Sequence, residues 1–522
     1  MAPAEPVRLW IIGHELPLER APSAEAIDAF CARYGSILDD GDSAEQLKRA
    51  PHRAQLVLAQ EREMGVFLAL QRECGIPLRL RMLYWTGAHG ELMDLARQAN
   101  PLHPPHIIHD PTTWHADLVE QGLLRPLGAG FEDLVRSLQA AGRGNLLTTC
   151  GAPDGVLHAL PWHVDVRVLY VRKAAWPSGV PALSTFEAFR DACAGVQPQV
   201  AGPQTKFIRA LGLDRVRDWN QLHTFAAWLH AMGGRVVDPA SRAVLPAEGL
   251  MTTLEYLTNL VPHTQAFVGD LRRLEKFFLN EEVALIVTGP WFVADLLERM
   301  GPDWPAHVEV RLLPSASGRA EDSRTFLGGA HLALTRFARH PDAERLLRFL
   351  VGDGMRRQVD SLGHVPAFPD PFEHYFRSRY PACASAIDMA IRTGVAYPSL
   401  PRWSHMENDV GNDAFFQLWG GILDGVPPGQ LASRLASWRH RMAAVLWPVP
   451  WPRILVLVVL GLILLGGLAF AAERLWVIRK LAALRRQLAR LQAEQARDEE
   501  FLRRLREKDR PSSSEGGSHG RP

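Results

Sequence analysis

Two rhythms of apolar and polar positions run along the first part of the chain. Residues 7–14 (VRLWIIGH), 78–85 (LRLRMLYW) and 106–109 (HIIH) are short apolar runs rich in β-branched and aromatic side chains, and they predict strands. Residues 23–34 and 91–98 instead carry apolar positions three and four apart, which predicts helices. The order strand, helix, strand, helix, strand predicts an α/β lobe with a mainly parallel sheet. Residues 41–63 form a long charged connection that predicts an additional helix.

The middle of the chain is more helical, with helical spacing over 186–193, 218–232, 250–260 and 271–279. The run 283–288 (VALIVT), stopped by Pro290, suits a buried strand, and 308–313 and 331–334 predict two more. From Asp342 onward the pattern is helical, punctuated by Pro and Gly near 363–371 and 398–401, and a last helix is predicted over 428–446.

From Ile454 to Ala472 the rhythm stops, and nineteen residues are all apolar or Gly. As a helix this run would be roughly 28 Å long, close to the hydrocarbon thickness of a bilayer. Arg453 and Glu473 bracket it, and Trp447, Trp451 and Trp476 stand where interfacial aromatics are expected. A single transmembrane helix is therefore expected over 454–472. It would separate a large body, residues 1–446, from a charged amphipathic or coiled-coil helix over 473–508, where Leu481, Leu484, Leu488 and Leu491 are spaced as a seam. The last residues, 509–522, read as disordered by composition. Arg474, Arg479, Lys480, Arg485, Arg486 and Arg490 outnumber the basic residues on the body side, which favours a cytoplasmic tail and an outside body. The opening MAPAEPVRLW is not a secretory leader, so export requires an upstream start or the span itself; otherwise the body is cytoplasmic.

Composition narrows the class. Lys plus Arg number 58 and Asp plus Glu 57, so no basic excess points to nucleic acid. The abundance of Arg, Ala and Pro suggests a GC-rich bacterial genome. Five cysteines without metal-site spacing form no disulfide framework, although one or two bridges stay open for an extracytoplasmic body. No phosphate loop, GxSxG, HExxH or strand-linked GxGxxG is present, and no two acidic residues stand out as a glycosidase pair. His103, His106 and His109 are three apart, but Pro104 and Pro105 deny them a helical face and no nearby Cys or Glu completes a set; no metal and no cofactor are expected.

Several segments, in their order, resemble the sugar-binding branch of the extracellular solute-binding proteins of ABC importers. They are PHIIHDPTTWHADLVEQGLLRPL (105–127), LPWHVDVRVLYVRKAAW (160–176), STFEAFRDAC (184–193), WLHAMGGRVVD (228–238), KFFLNEEVALIVTGPWFVADL (276–296), FLGGAHLALTRFARHPDAERLLRFL (326–350) and LGHVPA (362–367). Glu281 departs from the family pattern, which has Gly there. The resemblance covers about residues 7–446. It implies a two-lobed α/β periplasmic-binding-protein type II fold, with ligand in the interlobe cleft, no catalysis, and delivery to permease subunits.

The resemblance also nominates site residues. Trp291, in GPW, occupies the position that stacks on a sugar ring, with a core indole as the alternative. Asp110 and Trp114 follow the third predicted strand, where a carboxylate and an indole suit a polyol; a turn and a packed Trp are the alternative. His163 and Asp165 share one face of an extended strand near the interlobe crossing. His14 and Glu15 end the first strand, Arg402 and Trp403 lie in a late loop, and Gly329 allows close backbone approach. The expected protein is thus a solute-binding domain for a small solute, most simply a carbohydrate, tethered to the inner membrane by 454–472. The rival is a sensor or scaffold that signals through the span and its helical tail.

Overall fold

Two β-sheets, each flanked by helices, divide the body into two lobes. The computed structural model describes residues 5–447, except 14–16, 152–154, 202–203, 216–218, 268–272 and 409, together with 479–497 apart from 489, 493 and 496. In the first lobe, strand Val7–Gly13 lies between Leu78–Tyr84 and Ile107–Pro111 and runs parallel to both. Alternate residues Val7, Leu9 and Ile11 are buried, as the period of a strand packed on one face requires. Strand Phe326–Leu334 returns antiparallel to Ile107–Pro111 on one side and to Ala159–Val166 on the other. In the second lobe, Val168–Arg172 lies antiparallel between Val283–Thr288 and Val308–Arg311. Arg209–Asp214 runs parallel to Val283–Thr288 and to Thr264–Phe267. Every residue of Val283–Thr288 is buried, which explains its unbroken apolar run.

The chain crosses between the lobes three times. At the first crossing only Arg167 separates strand Ala159–Val166 from strand Val168–Arg172. The second runs from Arg311 to Phe326, and there Thr325 Oγ1 donates to the Arg167 carbonyl at 2.7 Å, joining the two crossings. The third leaves the short strand Val395–Ala396 and passes helix Trp403–Asn408. It ends in helices Val410–Leu423 and Pro428–Leu446, which pack on Trp219–Ala231 and Ala247–Leu260 of the second lobe.

Most predicted elements are found close to their expected bounds, and the departures have local causes. The charged connection holds two whole helices, Ala44–Arg49 and Pro51–Ala59, and the start of a third, Glu61–Cys74, rather than one, because Pro51 starts a new helix and a Ser43–Gln46 capping box fixes the first. The helix expected over 91–98 begins at Trp85, directly after the strand; Gly87 and Gly90 hide its period. Strand Arg209–Asp214 is not predicted by its sequence because Gly212 interrupts it. A Cβ at Gly212 would meet Leu274 Cδ1 at 2.7 Å, so the gap in the pattern is a packing requirement. The third strand is Ile107–Pro111, so Asp110 lies inside it rather than after it. All five cysteines are free. Among the described residues no helix is long and apolar enough to cross a membrane; the expected span 454–472 lies outside them. Of the tail, residues 479–488 are helical, with Leu481 and Leu488 exposed.

Gly329 marks where two first-lobe strands approach most closely. Its φ is 129°, and a Cβ there would lie 2.2 Å from the His163 carbonyl oxygen and 2.9 Å from Val164 Cα. Gly329→Ala is expected to destabilise the body by at least about 2 kcal/mol, from backbone strain and the collision together. Equilibrium urea unfolding checks this; an unchanged midpoint would mean that the two strands separate at no cost.

Candidate functional site

Alternation along the first crossing puts His163, Asp165 and Arg167 on one face and Val164, Val166 and Val168 on the other. Arg167 organises the face. It is 2% exposed, yet its guanidinium has partners from both lobes. One nitrogen lies 3.2 Å from Asp165 Oδ2, 2.9 Å from Asn220 Oδ1 and 3.4 Å from His223 Nδ1. The same guanidinium sits over the Trp291 ring at 4.9 Å and over Phe326 at 5.9 Å. His223 in turn stacks on Phe326 at 4.1 Å, with the rings 9° from parallel.

Trp291 stands immediately before helix Phe292–Met300, at the end of buried strand Val283–Thr288. Its ring folds back on the chain: a Cβ at Gly289 would overlap the indole, lying 1.8 Å from Cζ3. Trp291 is therefore partly buried, resting against Gly289 and beneath Arg167, rather than projecting freely. On the first-lobe side, His163 stacks on His364 at 4.4 Å. His364 comes from the GHVP loop, which pairs with the crossing strand through Val164 N–H to Val365 O at 2.9 Å and Ala367 N–H to Trp162 O at 3.1 Å. The seam thus gathers an indole, a carboxylate, a guanidinium and two stacked imidazoles.

Other predicted residues are placed elsewhere. Asp110 is wholly buried against His115 and His331, and Trp114 is 3% exposed in a cluster with Trp85 and His89. In this conformation neither ring face nor carboxylate meets solvent, which corrects the expectation that they line an open cleft. Trp403, 1% exposed, packs on Tyr397 and donates its indole N–H to Glu407 Oε1 at 3.1 Å. Arg402, at φ 69°, donates its backbone N–H to Asp117, and Ser404 donates its hydroxyl to the same carboxylate. The late loop is therefore tied to the first lobe through Asp117 and to the second through Glu407, which lies 3.4 Å from His223 Nε2. Gly329 serves close backbone approach within the first sheet. His14 and Glu15 lie outside the described residues.

A groove of about 450 Å³ flanks the seam, lined by Arg62, Ala294, Leu297, Glu298, Asp360, Arg379 and Tyr380. It lies between first-lobe helices and helix Phe292–Met300, and none of the predicted site residues lines it. The histidines His106 and His109 accept first-strand N–H groups from Arg8 and Ile12, while His103 lies 3.1 Å from the Arg8 guanidinium; the three do not converge. Convergent metal-type donors do occur at Asp110, His115 and His331. Burial works against the charged carboxyl of Asp110, but the adjoining imidazoles, His115 above all, hold it below its ordinary value.

Sequence reading passed over Arg167, His364, Asn220, His223, Phe326, His115 and His331. Arg167 was legible as the third polar residue in the HxDxR alternation. His115 and His331 carried no signal, since a lone histidine among apolar residues reads as core.

The family model for "Bacterial extracellular solute-binding protein" matches residues 71–382, more than half of the chain. No curated protein matches the sequence. Among solved structures, the GacH receptor of Streptomyces glaucescens, known unliganded and with acarbose, is 15% identical with a TM-score of 0.58, covering 85% of this chain and 100% of that one. A solute-binding protein of an ABC transporter from Thermotoga lettingae, bound to α-D-tagatose, is 15% identical with a TM-score of 0.60 over the same shares. The sugar-binding protein MalE of Xanthomonas citri is 18% identical with a TM-score of 0.59, over 85% of this chain and 97% of that one. At these identities the likeness is one of fold.

Replacing Arg167 by Met keeps the bulk but strands the Asp165 carboxylate and the Asn220 carbonyl. A loss of at least about 2 kcal/mol in urea unfolding is expected, with Arg167→Lys intermediate because the charge survives and the fork does not. Wild-type stability in Arg167→Met would show that the crossing does not depend on this side chain.

Proposed function

The chain belongs to the bacterial extracellular solute-binding proteins, and on that footing we propose that it captures a small carbohydrate in the seam between its lobes and hands it to the permease subunits of an ABC importer. The observation that carries this reading is Trp291. It stands just after a second-lobe strand and beneath Arg167, which also pairs with Asp165; His163, stacked on His364, lies on the same crossing strand as Asp165. An aromatic face with adjacent charged and polar groups suits a sugar, whose C–H face stacks while its hydroxyls are hydrogen-bonded. The acarbose and tagatose bound by proteins of the same fold agree with a polyol. No chemistry is required of the protein. The body stands outside the cytoplasmic membrane, held by residues 454–472 with the tail inside, and the tether raises its local concentration at the permease.

A second reading is a sensor or scaffold that acts through the span and tail. It is favoured by the ties that already fill the seam: Arg167 covers the indole, and the late loop joins both lobes through Asp117 and Glu407. In that case the lobes hold one shape and no sugar is transported.

Binding of maltodextrins and monosaccharides, measured by calorimetry on a chain ending at Trp447, separates the two. Such a chain is expected to stay soluble without detergent, and its persistence in carbonate-washed membranes would count against the tether. Trp291→Ala is expected to weaken sugar binding by roughly 30-fold or more, the cost of truncating a desolvated aromatic anchor. A large fall in melting temperature with unchanged affinity would instead make Trp291 a packing residue.

A further inference from the structure

Within the first lobe, four polar side chains meet out of reach of solvent. Asp110 comes from strand Ile107–Pro111 and His331 from Phe326–Leu334, where the two are paired across the ladder. His115 opens helix His115–Glu120, and Thr149 ends the turn Gly144–Thr149. Asp110, His115 and His331 have no exposed surface, and Thr149 is 3% exposed.

The hydrogen bonds at Thr149 favour one tautomer of His331. Thr149 Oγ1 gives its single proton to the Leu146 carbonyl at 2.8 Å. It must therefore accept from His331 Nε2, 2.9 Å away. A neutral His331 then has only a lone pair on Nδ1, and this lone pair faces Asp110 Oδ2 at 3.7 Å. Two acceptors confront each other in a dry site, an arrangement that is unfavourable unless something positive stands between them. His115 Nδ1 approaches the same carboxylate oxygen at 2.5 Å. Asp110 Oδ1, His115 Nε2 and His331 Nδ1 have no hydrogen-bond partner among the described residues.

The structure assigns Asp110, His115 and His331 as a buried site for one divalent transition-metal ion, zinc by its donors. One donor atom from each residue lies within 4.8 Å of the others. Two imidazoles and a carboxylate are a borderline nitrogen and oxygen set that zinc favours. An ion bound at about 2.0–2.1 Å holds neighbouring ligand atoms about 3.3 Å apart in a tetrahedral arrangement. The two separations found, 2.5 and 3.7 Å, fall on either side of that value. Binding moves the His115 proton from Nδ1 to Nε2, so the site needs no net proton loss. Thr149 is the outer partner that keeps His331 Nδ1 aimed inward. The ion would join two strands, a helix and, through Thr149, a turn, so its role is to hold the first lobe together rather than to touch solute.

The test uses the full-length protein purified from cells grown with added zinc, and measures bound metal by mass spectrometry after exhaustive buffer exchange. About one equivalent of zinc is expected, falling below about a tenth in Asp110→Asn and His331→Gln, while His103→Ala keeps it. X-ray absorption on the wild type must report two imidazoles and an oxygen donor, a readout that stands even where the variants fail to fold. At a free zinc concentration 100 times the dissociation constant the folding constant should rise about 100-fold, seen as a higher melting temperature than after chelation. Absence of stoichiometric metal together with no thermal response to zinc chloride would overturn the assignment, leaving a proton between Asp110 and the histidines. Sulfur ligation, or zinc retained in folded Asp110→Asn, would overturn it equally.

Discussion

The guanidinium of Arg167 is the contact on which the relation of the two lobes depends. It belongs to the single residue between two strands that lie in different sheets. Its backbone carbonyl accepts from Thr325 of the second crossing, and its side chain reaches Asp165 and Phe326 on the first-lobe side and Asn220, His223 and Trp291 on the second. A buried guanidinium is tolerated only when its charge and donors are met, and here a carboxylate, an amide, an imidazole and two aromatic rings meet them. Only the carboxylate, Asp165, comes from the strand that leads into it; the other groups come from distant parts of the chain. The residues around it are therefore bound to their positions by the same charge that stands at the first crossing.

The fold was largely legible because both lobes write their strands in the apolar code of buried sheets. Val283–Thr288 is found with the bounds its sequence predicts, as is the closing helix Pro428–Leu446. Two strands were missed in whole or in part at glycines. Gly212 breaks the apolar run of Arg209–Asp214, and Gly328 and Gly329 hide the first half of Phe326–Leu334. In each case the missing side chain is needed by a neighbour, Leu274 in one and the His163 carbonyl in the other. A periodicity argument sees only an absent hydrophobe there, since the cause lies in residues far along the chain.

The site was legible in part, for a related reason. Alternation placed His163 and Asp165 on one face, and the structure finds both at the seam, His163 stacked on His364 and Asp165 paired with Arg167. Asp110 shows the opposite case. A shift of the third strand by two residues at its end moved this carboxylate from an expected loop into the sheet, where it meets His331 across the ladder. Strand ends are the least certain feature of any hydrophobic pattern, and polar residues there change role with a small change of boundary. The tie from Arg402 and Ser404 to Asp117 spans most of the chain length and leaves no local trace.

The position of Arg167 also constrains what a solute could gain at Trp291. A planar cation on an indole is worth roughly 0.5–2 kcal/mol, more when water is excluded. A ring stacking in its place must exceed that amount while Arg167 keeps its other partners. This exchange is favourable only if the guanidinium swings off the indole without leaving Asp165 and Asn220, which lie 3.2 and 2.9 Å from it. A displaced guanidinium then becomes a donor to solute hydroxyls, so one motion converts a covered aromatic face into a stacking platform with a charge at its edge. Arg167 is also the residue at which the strands pass between lobes, so under the proposed function any such motion would start at the first crossing. On the same reading, a solute would uncover the indole only by the difference in its affinity for the covered and uncovered states.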